Sequence, residues 1–285
     1  RVDVGPVIDA EAQAGITQHI EKFKAQGHRV FQHPNHISAV SAPGTFVPPT
    51  LIELNHIGEL QREVFGPVLH LVRYARSDLD RLLDQINATG YGLTQGVHTR
   101  IDETITRVVN RAHAGNVYVN RNMVGAVVGV QPFGGEGLSG TGPKAGGPLY
   151  LLRLLSQRPG SAVAQALGHI DNSNPPDRTE QRRLHAPLST LQRWAQRAGQ
   201  GALAATCRSF GDETQSGTVR PLPGPTGERN TYALLPRPKV LCHATQASDA
   251  LTQLAAVLAC GGTAVWPAAL ASAVATLPQE VQASI

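Results

Sequence analysis

Three kinds of side chain in this 285-residue sequence could do chemistry, and the setting of each decides what chemistry is open to it. Cys207, Cys242 and Cys260 could attack an electrophilic carbon as thiolates. A thiolate at neutral pH needs a basic or glycine-rich surround, whereas Cys207 follows Ala205-Thr206, Cys242 lies in a strand pattern and Cys260 ends a helix pattern. All three read as structural. His28, His33 and His36 lie in a turn-rich stretch without a neighbouring acid or thiol, so they read as surface histidines rather than metal ligands. Glu63 and Phe65 put a carboxylate beside an aromatic just before a strand pattern; taken alone, they are a helix-end charge and a core ring. Gly135-Glu136-Gly137-Leu138-Ser139-Gly140 spells G-x-G-x-x-G, which opens a dinucleotide site only after a strand and with an acid about 20 residues on to hold a ribose. Val130-Gln131-Pro132-Phe133 is a poor strand, and no Asp or Glu stands between Glu136 and Asp171. The loop keeps a more general meaning: glycine lets backbone N–H groups close around a carboxylate or phosphate.

Elements must position these residues, and hydrophobic periodicity supplies them. Asp9 caps a helix bearing Ile16, Ile20 and Phe23, with Gly27 closing it before a short strand from Arg29 to Gln32. An extended segment from Gly44 to Leu54, a strand from Val68 to Val72 and a helix capped at Ser77 or Asp78 follow. A strand (Leu93 to His98), a helix (Ile101 to Ala112) and a strand (Asn116 to Val119) continue the alternation, which predicts a mostly parallel sheet covered on both faces. Residues 120–148 are glycine-rich and without periodicity, a long loop of the kind compact domains keep for function. Beyond Pro159 the composition shifts: Asn172 to Pro176 and Pro221 to Gly227 read as turns, with one helix between them around Leu188, Leu191, Trp194 and Ala195. A final strand (Lys239 to His243), helix (Ala247 to Leu258) and strand (Thr263 to Trp266) form a unit too small to bury a sheet alone, so the chain reads as cut at its carboxyl end.

Composition limits the partners. With 41% hydrophobic and 16% charged residues the chain belongs to the globular class, and 29 Gly plus 20 Pro point to many turns. The net charge of +4 comes from dispersed bases with only 5% aromatics, which argues against a nucleic-acid surface; Arg178, Arg182 and Arg183 beside Glu180 read as a solvated face. Three widely spaced cysteines give neither a disulfide framework nor a zinc pattern, and no apolar run reaches the length of a membrane span. A soluble, cytoplasmic protein is the expectation.

Several segments, in order, resemble the aldehyde dehydrogenase superfamily: Val4-Gly5-Pro6-Val7-Ile8, Thr45-Phe46-Val47-Pro48-Pro49, Glu63-Val64-Phe65-Gly66-Pro67-Val68, Tyr91-Gly92-Leu93, Gly115-Asn116-Val117-Tyr118-Val119-Asn120 and Gln131-Pro132-Phe133-Gly134-Gly135. Within it, the stretch from Asn120 to Pro148 resembles the Δ1-pyrroline-5-carboxylate (L-glutamate γ-semialdehyde) dehydrogenase module of the bacterial proline utilisation A family. The resemblance implies a three-layer α/β catalytic domain with a mostly parallel sheet over residues 1–148, an oligomerisation-arm strand over 149–157, and a partial Rossmann-like α/β domain, itself aldehyde dehydrogenase-like, over 158–285.

It also implies NAD-dependent oxidation of L-glutamate γ-semialdehyde to L-glutamate, in which a cysteine thiolate attacks the aldehyde and a glutamate activates the hydrolytic water. By motif, Glu63 would accept hydrogen bonds from the nicotinamide ribose and Phe65 would pack near the nicotinamide. Gly125 and Ala126 would offer N–H groups to the substrate α-carboxylate, and Phe133 would pack on its methylene chain. In the family the nucleophile, the general base and the cofactor domain precede the segment resembling Val4 to Ile8. The chain by itself is therefore expected to be inactive, with FAD belonging only to a proline dehydrogenase domain outside these residues. A homo-oligomer built through the arm is implied. A non-catalytic assembly or lid module, and a dehydrogenase for another semialdehyde, are the competing readings.

Overall fold

A computed structural model of the chain describes residues 4–32, 44–157, 159–168 and 185–285. His33, His36, the turn at 172–176 and the cluster of Arg178, Arg182 and Arg183 lie outside the described residues. The fold is α/β and divides into two compact units: residues 1–125 with 134–141, and residues 126–133 with 142–285.

In the first unit, helix α1 (Ala10–Ala25) starts where Asp9 accepts the Ala12 N–H at 2.7 Å, and Gly27, at φ 83°, turns the chain out of it. Strands β1 (Arg29–Gln32), β2 (Thr50–Leu54) and β3 (Val68–Val72) form a sheet in which β1 runs antiparallel and β3 parallel to β2. Thr50, Ile52 and Leu54 alternate into the buried face of β2, where Ile52 and Leu54 meet Ile16, Ile20 and Phe23 of α1. Helix α2 (Leu79–Ala88) leads to β4 (Tyr91–Gly92) and β5 (Thr94–Val97); α3 (Asp102–Arg111) then crosses to β6 (Asn116–Val119), which pairs with β5 in parallel. Two forked ion pairs, Arg107 with Asp80 and Arg111 with Asp84, join α3 to α2. Asn87 ends α3 by donating to the Arg111 carbonyl at 2.8 Å and accepting the His113 N–H at 2.9 Å. Strand β7 (Glu136–Gly137) returns antiparallel to β4.

In the second unit, α4 (Ala162–Gly168), α5 (Ala186–Arg197) and α6 (Gly201–Glu213) precede the antiparallel hairpin of β8 (Val219–Leu222) and β9 (Asn230–Ala233). Strand β10 (Lys239–Leu241), α7 (Ala247–Ala259) and β11 (Thr263–Val265) make a parallel strand–helix–strand unit, followed by the short helices α8 (Ala271–Val274) and α9 (Gln279–Gln282). Leu254 and Leu258 of α7 are fully buried against Leu191 of α5 and Cys207 of α6, a gain of roughly 2 kcal/mol for each leucine.

Three sequence expectations take a more exact form. The strand–helix–strand unit shares one core with α5 and α6, in which Val240 and Ala264 meet Leu277 and Val281, while Leu241 on the other face stays 61% exposed. Ala264 also donates to the Ser284 carbonyl at 2.8 Å. The pairing is parallel at β2–β3, β5–β6 and β10–β11, but these lie in separate small sheets; β1 adds antiparallel to β2, and β4–β7 and β8–β9 are antiparallel pairs of their own. The arm segment 149–157 is not a strand in the single chain: Leu151–Leu154 form a 3-10 helix, and Arg153 donates from its backbone to the Tyr150 carbonyl at 3.1 Å and from its side chain to Gly142 at 2.6 Å. An unpaired strand would leave those backbone groups to water, whereas the turn satisfies some of them locally.

Candidate functional site

Glu63 and Phe65 share the turn that enters β3, and the chain folds that way because of the residue between them and the one after. Val64 points into the core of the first unit, and Gly66 lies so close to α1 that a Cβ there would stand 2.4 Å from Ile16 Cδ1. With Val64 packed inward and Gly66 held against Ile16, Glu63 and Phe65 are left exposed, Phe65 at 87%. The core-ring reading of Phe65 is thereby overturned: the ring stands almost wholly in water next to an exposed carboxylate.

The glycine loop has two parts with different physics. Gly135, Gly137 and Gly140 are needed by the chain itself. A Cβ would stand 2.6 Å from the Ser139 carbonyl oxygen at Gly135, 2.4 Å from the Gly90 oxygen at Gly137 and 2.8 Å from the Gly135 oxygen at Gly140. The G-x-G-x-x-G stretch is a backbone-packing device against β4, with Ser139 Oγ accepting the Gly92 N–H at 3.0 Å. Upstream, Gly115 is tighter still, its virtual Cβ lying 1.7 Å from the Gly134 oxygen.

Gly125 differs, since a Cβ there would meet nothing within 4 Å. Its carbonyl accepts from the Tyr118 hydroxyl at 3.3 Å, while among the described residues neither the Gly125 nor the Ala126 N–H donates to a protein acceptor. Two consecutive amides without a protein acceptor among the described residues can accept an anion. Val124 and Val128, 92% and 98% exposed, flank them with apolar surface.

Phe133 is half-buried and fixed by a reciprocal bridge to Ala145, the two N–H···O distances being 3.0 and 2.9 Å. Asn120, at the end of β6, is the one non-glycine residue with positive φ, at 56°, among the described residues. Its side chain accepts the Thr99 N–H and donates to the Thr99 carbonyl, both at 2.9 Å, locking the exits of β5 and β6 together ahead of the loop. Within this set, Glu63 and Phe65 are brought together on one turn and Gly125 and Ala126 on one loop, and Phe133 stands on the ladder that follows.

The cysteines are not poised to attack. Burial pushes the Cys207 thiol up to about 11 and raises Cys242 as well, so both remain thiols, while Cys260 is exposed. The strongest electrostatic perturbation that sequence reading missed is a histidine pair: His19 of α1 and His70 of β3 face each other with Nε2 atoms 2.8 Å apart. Desolvation, then the neighbouring His19, lowers His70 to about 4, and desolvation with Lys22 and Arg62 lowers His19. No group of three or more metal-ligating side chains occurs among the described residues. His28, the one described member of the histidine cluster, instead bonds the Glu53 carbonyl at 3.0 Å and the Glu59 carboxylate at 2.9 Å. A depression of about 430 Å³ between α2 and α3 is lined by Asp84, Asn87 and Arg111 among others and includes none of the candidate residues. No described helix is long and apolar enough to cross a membrane.

Residues 1–158 match the aldehyde dehydrogenase family. The bifunctional protein PutA of Klebsiella aerogenes is 58% identical over 99% of this chain and 22% of that protein, and PutA of Escherichia coli K12 is 60% identical over 93% of the chain and 20% of that protein. The 1-pyrroline-5-carboxylate dehydrogenase of Bacillus pumilus is 42% identical over 53% of the chain and 28% of that protein. The chain thus spans about a fifth of the length of the PutA relatives it matches.

Proposed function

The chain belongs to the aldehyde dehydrogenase family, and from that membership we propose that it supplies substrate and cofactor contacts for the NAD-dependent oxidation of L-glutamate γ-semialdehyde to L-glutamate in proline catabolism. The observation that carries the substrate assignment is the pair of amides at Gly125 and Ala126, without a protein acceptor among the described residues, a binding element that suits a carboxylate better than an uncharged aldehyde. Phe133, fixed by its bridge to Ala145, offers an apolar face to the methylene chain. Glu63 and Phe65 fit the cofactor for a matching reason: an exposed carboxylate accepts from ribose hydroxyls and an exposed ring stacks on a flat heterocycle. The nicotinamide cofactor, when bound, supplies the two-electron oxidation.

Burial keeps Cys207 and Cys242 as thiols and the exposed Cys260 stands beyond the residues that match the dehydrogenase family, which supports an attacking thiol in another part of the longer protein and no turnover by the 285 residues alone. FAD has no role in this segment. The exposed Leu151, Leu154 and Leu155 fit a segment that associates with a second copy of the chain in a cytoplasmic homo-oligomer.

The experiment is NADH formation by the longer protein with L-glutamate γ-semialdehyde. Glu63→Ala raises KM for NAD, Phe133→Ala raises KM for the aldehyde, and the isolated chain gives no signal. NADH formation by the isolated chain at the rate of the longer protein, or both variants matching wild type, overturns the assignment.

A further inference from the structure

The loop that carries the amide anchor is folded around one buried side chain. Gln131, 9% exposed, accepts the Val127 N–H through Oε1 at 3.1 Å, and its own N–H returns to the Val127 carbonyl at 2.9 Å. Val130 donates to that same carbonyl at 3.1 Å, and Gly129, at φ 81°, lets the chain close so tightly. Val127 directly follows Ala126, so the Gln131 amide sets where the anchor ends.

That amide has a second end. Its Nε2 donates to Asn230 Oδ1 at 3.4 Å, 99 residues away on the first position of β9. Asn230 is itself oriented: its Nδ2 faces Glu228 Oε2 at 3.5 Å and occupies the space a Cβ on Gly224 would need, 2.5 Å from it. With Nδ2 directed there, Oδ1 is the atom turned to Gln131. A buried primary amide that loses such a partner keeps an unsatisfied N–H and is free to rotate, which costs more than one surface hydrogen bond. Asn230 lies beyond residues 1–158, outside the part of the chain that matches the dehydrogenase family.

We propose that Asn230 is a positioning residue for the aldehyde site. It holds Gln131, Gln131 holds the Val127 amide, and the carboxyl-terminal region thereby tunes selection of carboxylate-bearing aldehydes. This rests on the reading of Gly125 and Ala126 as a carboxylate anchor.

The test uses the longer protein with L-glutamate γ-semialdehyde and with propanal, which has no carboxylate. Asn230→Ala raises KM for the semialdehyde about five-fold. It leaves kcat and the propanal KM within two-fold of wild type. In the 285-residue chain, hydrogen exchange at the Val127 amide quickens in the Ala variant. An unchanged semialdehyde KM, an equal rise for both aldehydes, or unchanged exchange at Val127 overturns the proposal. Wild-type protein that oxidises no semialdehyde overturns the substrate reading beneath it, a result visible before any variant is compared.

Discussion

Replacing Gly125 by alanine separates a glycine kept for a ligand from one kept for the fold. The added Cβ meets no atom within 4 Å, and the backbone is outside the left-handed region, so the folded chain accepts the methyl group without strain. Removing a glycine also narrows the unfolded ensemble, which raises stability by about 0.4–1 kcal/mol. A carboxylate drawn to the Gly125 N–H shares that space, and crowding that costs about 1.4 kcal/mol of binding raises KM tenfold. Gly115→Ala is the counterpart. Its Cβ would lie 1.7 Å from the Gly134 oxygen where ordinary contact begins at 3.4 Å, so a backbone carbonyl must retreat by the difference, about 1.7 Å. Such overpacking costs at least the upper end of roughly 1–3 kcal/mol. Urea unfolding of the 285-residue chain measures the stabilities, and the KM of the longer protein for L-glutamate γ-semialdehyde measures the anchor. A Gly125→Ala chain that loses more than about 1 kcal/mol shows that the space is not open. An unchanged KM with unchanged stability places the carboxylate elsewhere.

Asn120→Ala loses both bonds to Thr99 and keeps a side chain at positive φ, for a total of about 2–3 kcal/mol in urea unfolding, while Asn120→Gly escapes the backbone part and loses less; equal losses would sink the account. Thiol titration of the native chain gives one fast equivalent, abolished by Cys260→Ser and untouched by Cys207→Ser, because burial holds Cys207 at about 11. His70 is lowered from 6.5 to about 4, so the unfolded chain binds more protons than the folded one between those values. Stability is complete above about pH 6.5 and falls as pH drops toward 4, by on the order of 1–2 kcal/mol once screening at a half-buried site is allowed for. His70→Gln flattens that slope, and a slope unchanged by the substitution would remove the histidine pair as its cause.

What the sequence disclosed was local. The Asp9 cap, the i, i+4, i+7 spacing of Ile16, Ile20 and Phe23, and the β runs at Arg29–Gln32, Val68–Val72 and Asn116–Val119 appear where expected, because each is set by neighbours a few residues apart. Helix α6 escaped because Gly201 and Gly211 sit at its first turn and near its end and Thr206 interrupts it, so tertiary contact through Leu203 and Cys207 decides it. Phe65 was misread because its exposure depends on Val64 taking the inward place and Gly66 lying against Ile16, which only α1 reveals. The His19–His70 pair spans 51 residues and the Gln131–Asn230 bond 99, and no periodicity reports on such pairs. Nor could spacing separate Gly125 from Gly135: one faces open space and the other a carbonyl, a distinction made by distance in three dimensions.

The course of the chain between the two units limits how this molecule can be dissected. The boundary is crossed after residues 125, 133 and 141, so the eight residues holding Ala126, Gln131 and Phe133 are stitched into the unit whose remainder starts at Gly142. No single cut can release either unit intact. A truncation at the end of the glycine loop would strip Gln131 of Asn230 along with everything else beyond the cut. Loss of activity after such a deletion would therefore report on the integrity of the anchor loop as much as on any separate duty of the deleted residues.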